Sequence, residues 1–192
     1  MNATKFKANL LEKLYEPLKN CQACPLSKTR TNIVFGTGNP NATLMIVGEG
    51  PGRDEDLQGI PFVGKSGQLL TKALEAYGIT REEIFIANIV KCRPPNNRAP
   101  IWTESQTCMS LLLYNQIKII RPKIICALGS SALNMLLSDQ KNPLKITKVR
   151  GQVLKKGDLL IFPTFHPAYI LRNRSELDIF LSDIKKLKNL LK

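Results

Sequence analysis

The 192 residues, 43% hydrophobic and 22% charged, have ordinary globular composition and enough length to bury one core without disulfide staples. Lys and Arg number 28 against 15 Asp and Glu, a net charge of +13, which draws polyanions by releasing condensed counterions. No apolar run approaches the roughly 18 residues that span a bilayer, so a membrane-spanning chain is excluded and a cytoplasmic nucleic-acid binder is expected.

In chain order, "MNATKFKANLLEKLYEPLKN" is broken by charges, so a secretory signal is not expected. It reads as an amphipathic helix, with Phe6, Leu10, Leu14 and Leu18 about one turn apart. "CQACPLSKTR" follows, carrying Cys21 and Cys24. "TLMIVGEG" is a short apolar run ending in glycines, a buried strand whose end opens onto a site. "SGQLLTKALEAYGI" reads as a helix closed by Gly78, and "EEIFIANIVKC" as a second strand. A capping box at Thr103 and Gln106 starts a helix that runs to Pro122. "KIICALG" is a third strand and "SSALNMLL" a short helix. "LLIFPTFHP" is a fourth strand, and a terminal helix carries Leu177, Phe180, Ile184 and Leu187 on one face. The alternation predicts an α/β fold: a three-layer α/β/α sandwich around a mostly parallel four-stranded sheet. No linker or repeat divides the chain, so residues 1–192 form one domain, with 1–30 supplying the first helix and cysteine pair. Ligands in such sheets sit beyond the strands' carboxyl ends, where "GEGPG", "NIVKCRPP" and "TFHPAY" fall.

"GIPFVGKS" at 59–66 satisfies the phosphate-loop pattern G-x-x-x-x-G-K-[ST] letter for letter. Such a loop leaves a strand directly and turns bare backbone amides towards phosphate. Here "RDEDLQ" intervenes after the strand, Asp54, Glu55 and Asp56 repel a triphosphate, and Pro61 has no N–H. No later strand ends in a magnesium-binding Asp. Nucleoside triphosphate is therefore not an expected ligand, and a phosphate-loop NTPase is a rejected rival.

Five cysteines without an export signal point away from disulfides and towards metal or redox chemistry. Cys21 and Cys24 form C-x2-C, while Cys92 and Cys108 lie far downstream. Four thiolates suit a tetrahedral zinc site or an iron–sulfur cluster, and spacing alone does not choose. Cys126, inside "KIICALG", belongs to the core.

The blocks "CQACPL", "VFGTGNPNATLMIVGEGPGRDEDLQGIPFVGKSGQLL", "IANIVKCRPPNNRAP" and "PTFHPAYILR" closely resemble the family 4 uracil-DNA glycosylases over nearly the whole chain. The resemblance implies that family's α/β/α fold, excision of uracil from DNA, and a 4Fe-4S cluster on Cys21, Cys24, Cys92 and Cys108. The implied reaction leaves an abasic site and initiates base excision repair. No lysine is placed as a Schiff-base nucleophile, so strand cleavage is not expected. The implied partner is uracil-containing DNA, single or double stranded, with no membrane and a monomeric enzyme. A non-catalytic Fe-S or Zn DNA-binding module is the alternative.

The resemblance marks Phe62 as the ring that stacks on the flipped base. Asn88, at a strand end, can accept from uracil N3–H and donate to O4, a pattern cytosine inverts. His166, the one histidine, matches the family's second motif, and when neutral it can donate to uracil O2 as the uracil anion forms. In "GEGPG", the family's first motif, Gly48 and Gly50 let backbone approach the base. Glu49 either positions the attacking water or blocks thymine's methyl group. "HPAYILR" is expected to probe DNA as a loop, one of Tyr169, Ile170 or Leu171 wedging into the stack and Arg172 meeting phosphate. Lys91, Arg93 and Arg98 are further phosphate candidates.

Overall fold

A computed structural model describes residues 3–137 and 142–192. Four parallel strands form its centre: β2 (Leu44–Gly48), β3 (Phe85–Asn88), β4 (Ile124–Leu128) and β6 (Leu159–Thr164). These are the expected four. Two short antiparallel strands, β1 (Thr37–Gly38) and β5 (Leu154–Lys156), border them, so the sheet has six strands in the order β1-β3-β2-β4-β6-β5. The border strands escaped sequence reading because neither carries an apolar run.

Side chains alternate across the sheet, as strand geometry dictates. Met45, Val47, Phe85, Ala87, Ile125, Ala127 and Ile161 share one buried cluster. Leu44, Ile46, Ile86, Ile124, Cys126 and Phe162 share the other. The first cluster is covered by α1 (Ala3–Tyr15), α4 (Trp102–Cys108), α5 (Tyr114–Ile120) and α6 (Gly129–Leu137). The second is covered by α3 (Lys65–Glu75), α8 (Pro167–Arg172) and α9 (Leu177–Asn189), while α2 (Arg53–Gln58) and α7 (Ile146–Val149) are short connecting helices. Two covered faces make the three layers, and explain why the strands read as continuous apolar runs. Cys126 is fully buried, as expected of a core thiol.

Local details depart from the sequence pattern. In α1 the buried residue is Leu11, and Phe6 is 52% exposed, so the apolar stripe is rotated from the one predicted. Lys7 on that helix instead reaches the carbonyl of Ile120 at the end of α5. Helix α4 starts two residues earlier than predicted, and Glu104, not Gln106, closes the cap by accepting from the Ile101 N–H. A π-helical stretch, Met109–Leu113, separates α4 from α5. No helix among the described residues is long and apolar enough to cross a membrane.

Register delivers the site. In the parallel ladders Gly48 lies opposite Asn88, and Leu128 opposite Thr164. All four central strands therefore end at one level, and the segments following them open on one edge of the sheet.

Candidate active site

A cleft of about 540 Å³ opens on that edge. The turn after β2 contributes Glu49, Gly50 and Gly52, strand β3 Asn88, and the segment after β6 His166, Tyr169 and Arg172; Phe62 comes from the loop before α3. Sequence-distant candidates thus meet in one cavity, joined by Arg98 at its rim.

Gly48 lies beneath the cleft. A Cβ there would stand 2.5 Å from Asn88 Oδ1 and 2.6 Å from Phe62 Cζ, so only glycine lets the amide and the ring close over this strand end. Asn88 is 1% exposed, and its Oδ1 is the one buried side-chain nitrogen or oxygen without a hydrogen-bond partner among the described residues. Folded proteins satisfy nearly all such atoms. An acceptor left open beside a cleft is available to a ligand's N–H.

Across the cleft, the His166 and Phe62 rings lie 5.7 Å apart between centroids, tilted by 33°. His166 caps α8: its Nδ1 accepts from the Ala168 N–H at 3.1 Å. With Nδ1 an acceptor, the proton of the neutral ring belongs on Nε2. Burial, reinforced by the Arg172 cation, holds the imidazole down to about 4, so it is neutral at pH 7. Behind it, Phe165 stacks with Tyr169 at 4.9 Å and lies under the Arg150 guanidinium, 5.5 Å from the ring centre. Arg150 is fixed in turn by Asp183, a fully buried carboxylate that also accepts from the Thr164 hydroxyl.

Three expectations are corrected. Lys91 is no surface phosphate contact: it is wholly buried, its Nζ donating to Asn88 O at 2.9 Å and Gln116 Oε1 at 2.7 Å. Ile170 is no wedge, because it is fully buried in the core, on a helix packed against α3. "HPAYILR" is a short helix rather than a loop, which turns Ile170 inward and leaves Tyr169, Leu171 and Arg172 nearer solvent. Of the other basic candidates, Arg98 is engaged bidentately by buried Glu104, and Arg93 donates to Asn97 Oδ1. Arg172 is exposed.

The "GKS" letters have a different occupation from phosphate. Glu55 Oε1 accepts from the N–H groups of Val63 and Gly64 at 3.0 and 2.9 Å. The protein's own carboxylate thus holds the amides that a phosphate loop would present, and Lys65 points to solvent. The polar run after β2 is a helix, α2 (Arg53–Gln58), which removes the direct strand-to-loop passage.

Sequence reasoning missed Glu55, and also Ser130 and Ser131, which line the cleft after β4. The serines had a signal: they follow a strand end just as "GEGPG" does. Glu55 had none, since its partners are backbone amides brought up by folding.

A second, apolar cavity is lined by Cys21, Cys24, Cys92 and Cys108. All five cysteines are free thiols. Arg30 Nη1 donates to Cys92 Sγ at 3.4 Å, and the Lys91 N–H to Cys108 Sγ at 3.3 Å. Burial pushes the Cys108 thiol up to about 12. Among the described residues, no three His, Cys, Asp or Glu side chains are drawn together closely enough to hold one metal ion.

Comparison with known proteins agrees with this geometry. The sequence model of the uracil DNA glycosylase superfamily matches residues 35–191. A type-4 uracil-DNA glycosylase of Thermotoga maritima is 49% identical over 189 residues, covering 97% of each chain. Those of Sulfurisphaera tokodaii and Saccharolobus solfataricus are 45% and 42% identical, covering 94% of this chain and 84% and 86% of their own.

Proposed function

The chain belongs to the uracil DNA glycosylase superfamily, and from that membership we infer its reaction: it is a uracil-DNA glycosylase, of the type-4 kind. It hydrolyses the bond between uracil and deoxyribose, leaving an abasic site for repair. The observation that carries the assignment of roles is the open acceptor of Asn88, buried at the strand end between Gly48 and the Phe62 ring.

A base paired inside a duplex is out of reach, so it must be taken out of the stack at a cost of a few kcal/mol. Stacking on Phe62, worth about 1–3 kcal/mol, offsets part of that cost. Asn88 Oδ1 accepts from uracil N3–H. Cytosine bears no proton at N3 and would leave the acceptor unpaired, a penalty of about 1–3 kcal/mol. As the glycosidic bond breaks, its electron pair goes to uracil, and negative charge grows on the base while the sugar takes on oxocarbenium character. His166 Nε2–H donates to uracil O2 where that charge collects. A neutral donor held in place by the Ala168 N–H stabilises the anion without reorganising. Water then adds to the sugar's anomeric carbon and gives up a proton, which the departing uracil anion takes up to leave as neutral uracil. Glu49, at the cleft wall, orients this water.

Four thiols lining one apolar cavity, with the Arg30 guanidinium donating to one sulfur and the Lys91 backbone N–H to another, support a 4Fe-4S cluster on Cys21, Cys24, Cys92 and Cys108. Four thiolates make the centre anionic, and the buried Lys91 and the Arg30 guanidinium are placed to balance that charge. When bound, the cluster supplies a crosslink between the N-terminal arm and the segment after β3.

The test is release of uracil from an oligonucleotide containing it, followed by alkaline cleavage at the abasic site. Uracil release without strand cleavage by the enzyme itself is expected; binding with no release would assign the chain to a DNA-binding module instead. A broad absorption shoulder near ~400 nm in freshly isolated protein identifies the cluster, and colourless protein carrying zinc refutes it.

A further inference from the structure

Phe62 sits at φ 55°, in the left-handed region. A residue with a Cβ loses roughly 1–2 kcal/mol there, and bulky side chains are seldom found in it. Asn96 and Asn97, which share that conformation, are of the type that tolerates it, and Arg121 takes it at a helix end. Only at Phe62 does the strain fall on a ring that faces the cleft. Such strain persists where the surroundings over-determine it.

Two charged side chains grip the backbone on either side of the ring. Arg81, from the turn before β3, donates through Nη2 to Pro61 O at 2.8 Å and through Nη1 to Phe62 O at 3.1 Å. The same Nη1 also meets Thr71 Oγ1 on α3, anchoring the guanidinium to the rigid helix. From the other side, Glu55 Oε1 takes the Val63 and Gly64 amides, while Oε2 takes the Gly52 N–H at 3.1 Å. One carboxylate thus ties the turn after β2 to the loop that carries the ring. Gly67 closes the arrangement: a Cβ there would lie 2.0 Å from the Phe62 carbonyl carbon and oxygen.

We propose that Arg81 and Glu55 are positioning residues that hold Phe62 in its left-handed conformation, so that the ring is already set against Asn88 and His166 when the base arrives. The proposal rests on the reading of Phe62 as the stacking surface for uracil. Neither side chain needs to touch the base. Arg81 reaches only the two carbonyls and the threonine, and Glu55 reaches only amides. Their shared target is the backbone from Pro61 to Gly64, on either side of the positive-φ phenylalanine. Without the clamp the chain relaxes towards negative φ and carries the ring away from the strand ends. A misplacement of about 1 Å at a reacting site costs on the order of a hundredfold in rate.

A double-mutant cycle tests this, read as single-turnover uracil excision per folded molecule, with DNA affinity and melting temperature measured alongside. Arg81→Ala is expected to slow excision about 10- to 100-fold in the wild-type background and less than about twofold in the Phe62→Ala background. DNA affinity stays near wild type in both. Arg81→Lys, which keeps one donor, is expected to fall between. Equal losses in the two backgrounds, or an unchanged rate per folded molecule, would overturn the clamp. If Phe62→Ala alone excises at the wild-type rate, the stacking role itself fails and the clamp with it. Should Arg81→Ala not fold, Glu55→Gln enters the same cycle. It keeps the shape of the side chain but turns a donor towards Gly52, and the same coupling to Phe62 is required of it.

Discussion

Truncating Asn88 to alanine separates function from stability. In the free protein its Oδ1 is buried without a partner, and such an atom costs about 1–3 kcal/mol of folding free energy. Asn88→Ala removes that cost. It also gives up the packing of a small amide, about 1 kcal/mol on the scale of one or two buried methylene groups. The two nearly cancel, so folding stability in a denaturant titration is expected within about 1 kcal/mol of wild type, or slightly above it. Excision behaves differently. The amide NH2 that donates to uracil O4 is lost with the acceptor, and removing one preorganised donor to a developing negative charge costs about 2.7–4 kcal/mol, or about 100- to 1,000-fold in the single-turnover rate. The reasoning is refuted if Asn88→Ala loses more than about 2 kcal/mol of stability while folded molecules excise normally. That result would make Asn88 an ordinary structural amide.

The remaining predictions concern other links in the site. Since His166 is held down to about 4, excision is expected to show no inflection near 6.5, the ordinary histidine value; a half-maximal point there would contradict a neutral donor. The sign for stability follows: below about 6.5 the unfolded chain takes up a proton that the folded one refuses. The contribution is therefore complete above that pH and lost progressively as pH falls towards 4. Lys65→Ala, altering an exposed helix-start residue, is expected to leave excision and stability within about 0.5 kcal/mol of wild type, and equilibrium dialysis should detect no ATP on either protein. Asp183→Ala strands Arg150 and the Thr164 hydroxyl, and should cost about 3 kcal/mol in chemical denaturation, since removing one partner of a buried pair is expensive. A loss below about 1 kcal/mol would show that Arg150 finds water instead.

Much of this protein was legible in its sequence because local rules carried it. Strands buried on both faces must be continuous apolar runs, so β2, β3, β4 and β6 announced themselves, and strand alternating with helix gave the layers. Glycine-rich or polar residues at strand ends marked Glu49, Asn88 and His166 as neighbours before any geometry was known. What sequence cannot carry is the direction in which a side chain points once helices pack. Lys91 and Ile170 read as surface residues by charge or by place in a motif, yet both are buried, one by its backbone and amide partners and the other by the register of a single helical turn. The "GIPFVGKS" stretch shows the same division. Its letters suffice to argue against a phosphate loop, through Pro61 and the acids upstream. Only the tertiary structure shows what holds the loop, because the carboxylate of Glu55 and the guanidinium of Arg81 come from outside it and bond to backbone that every sequence shares.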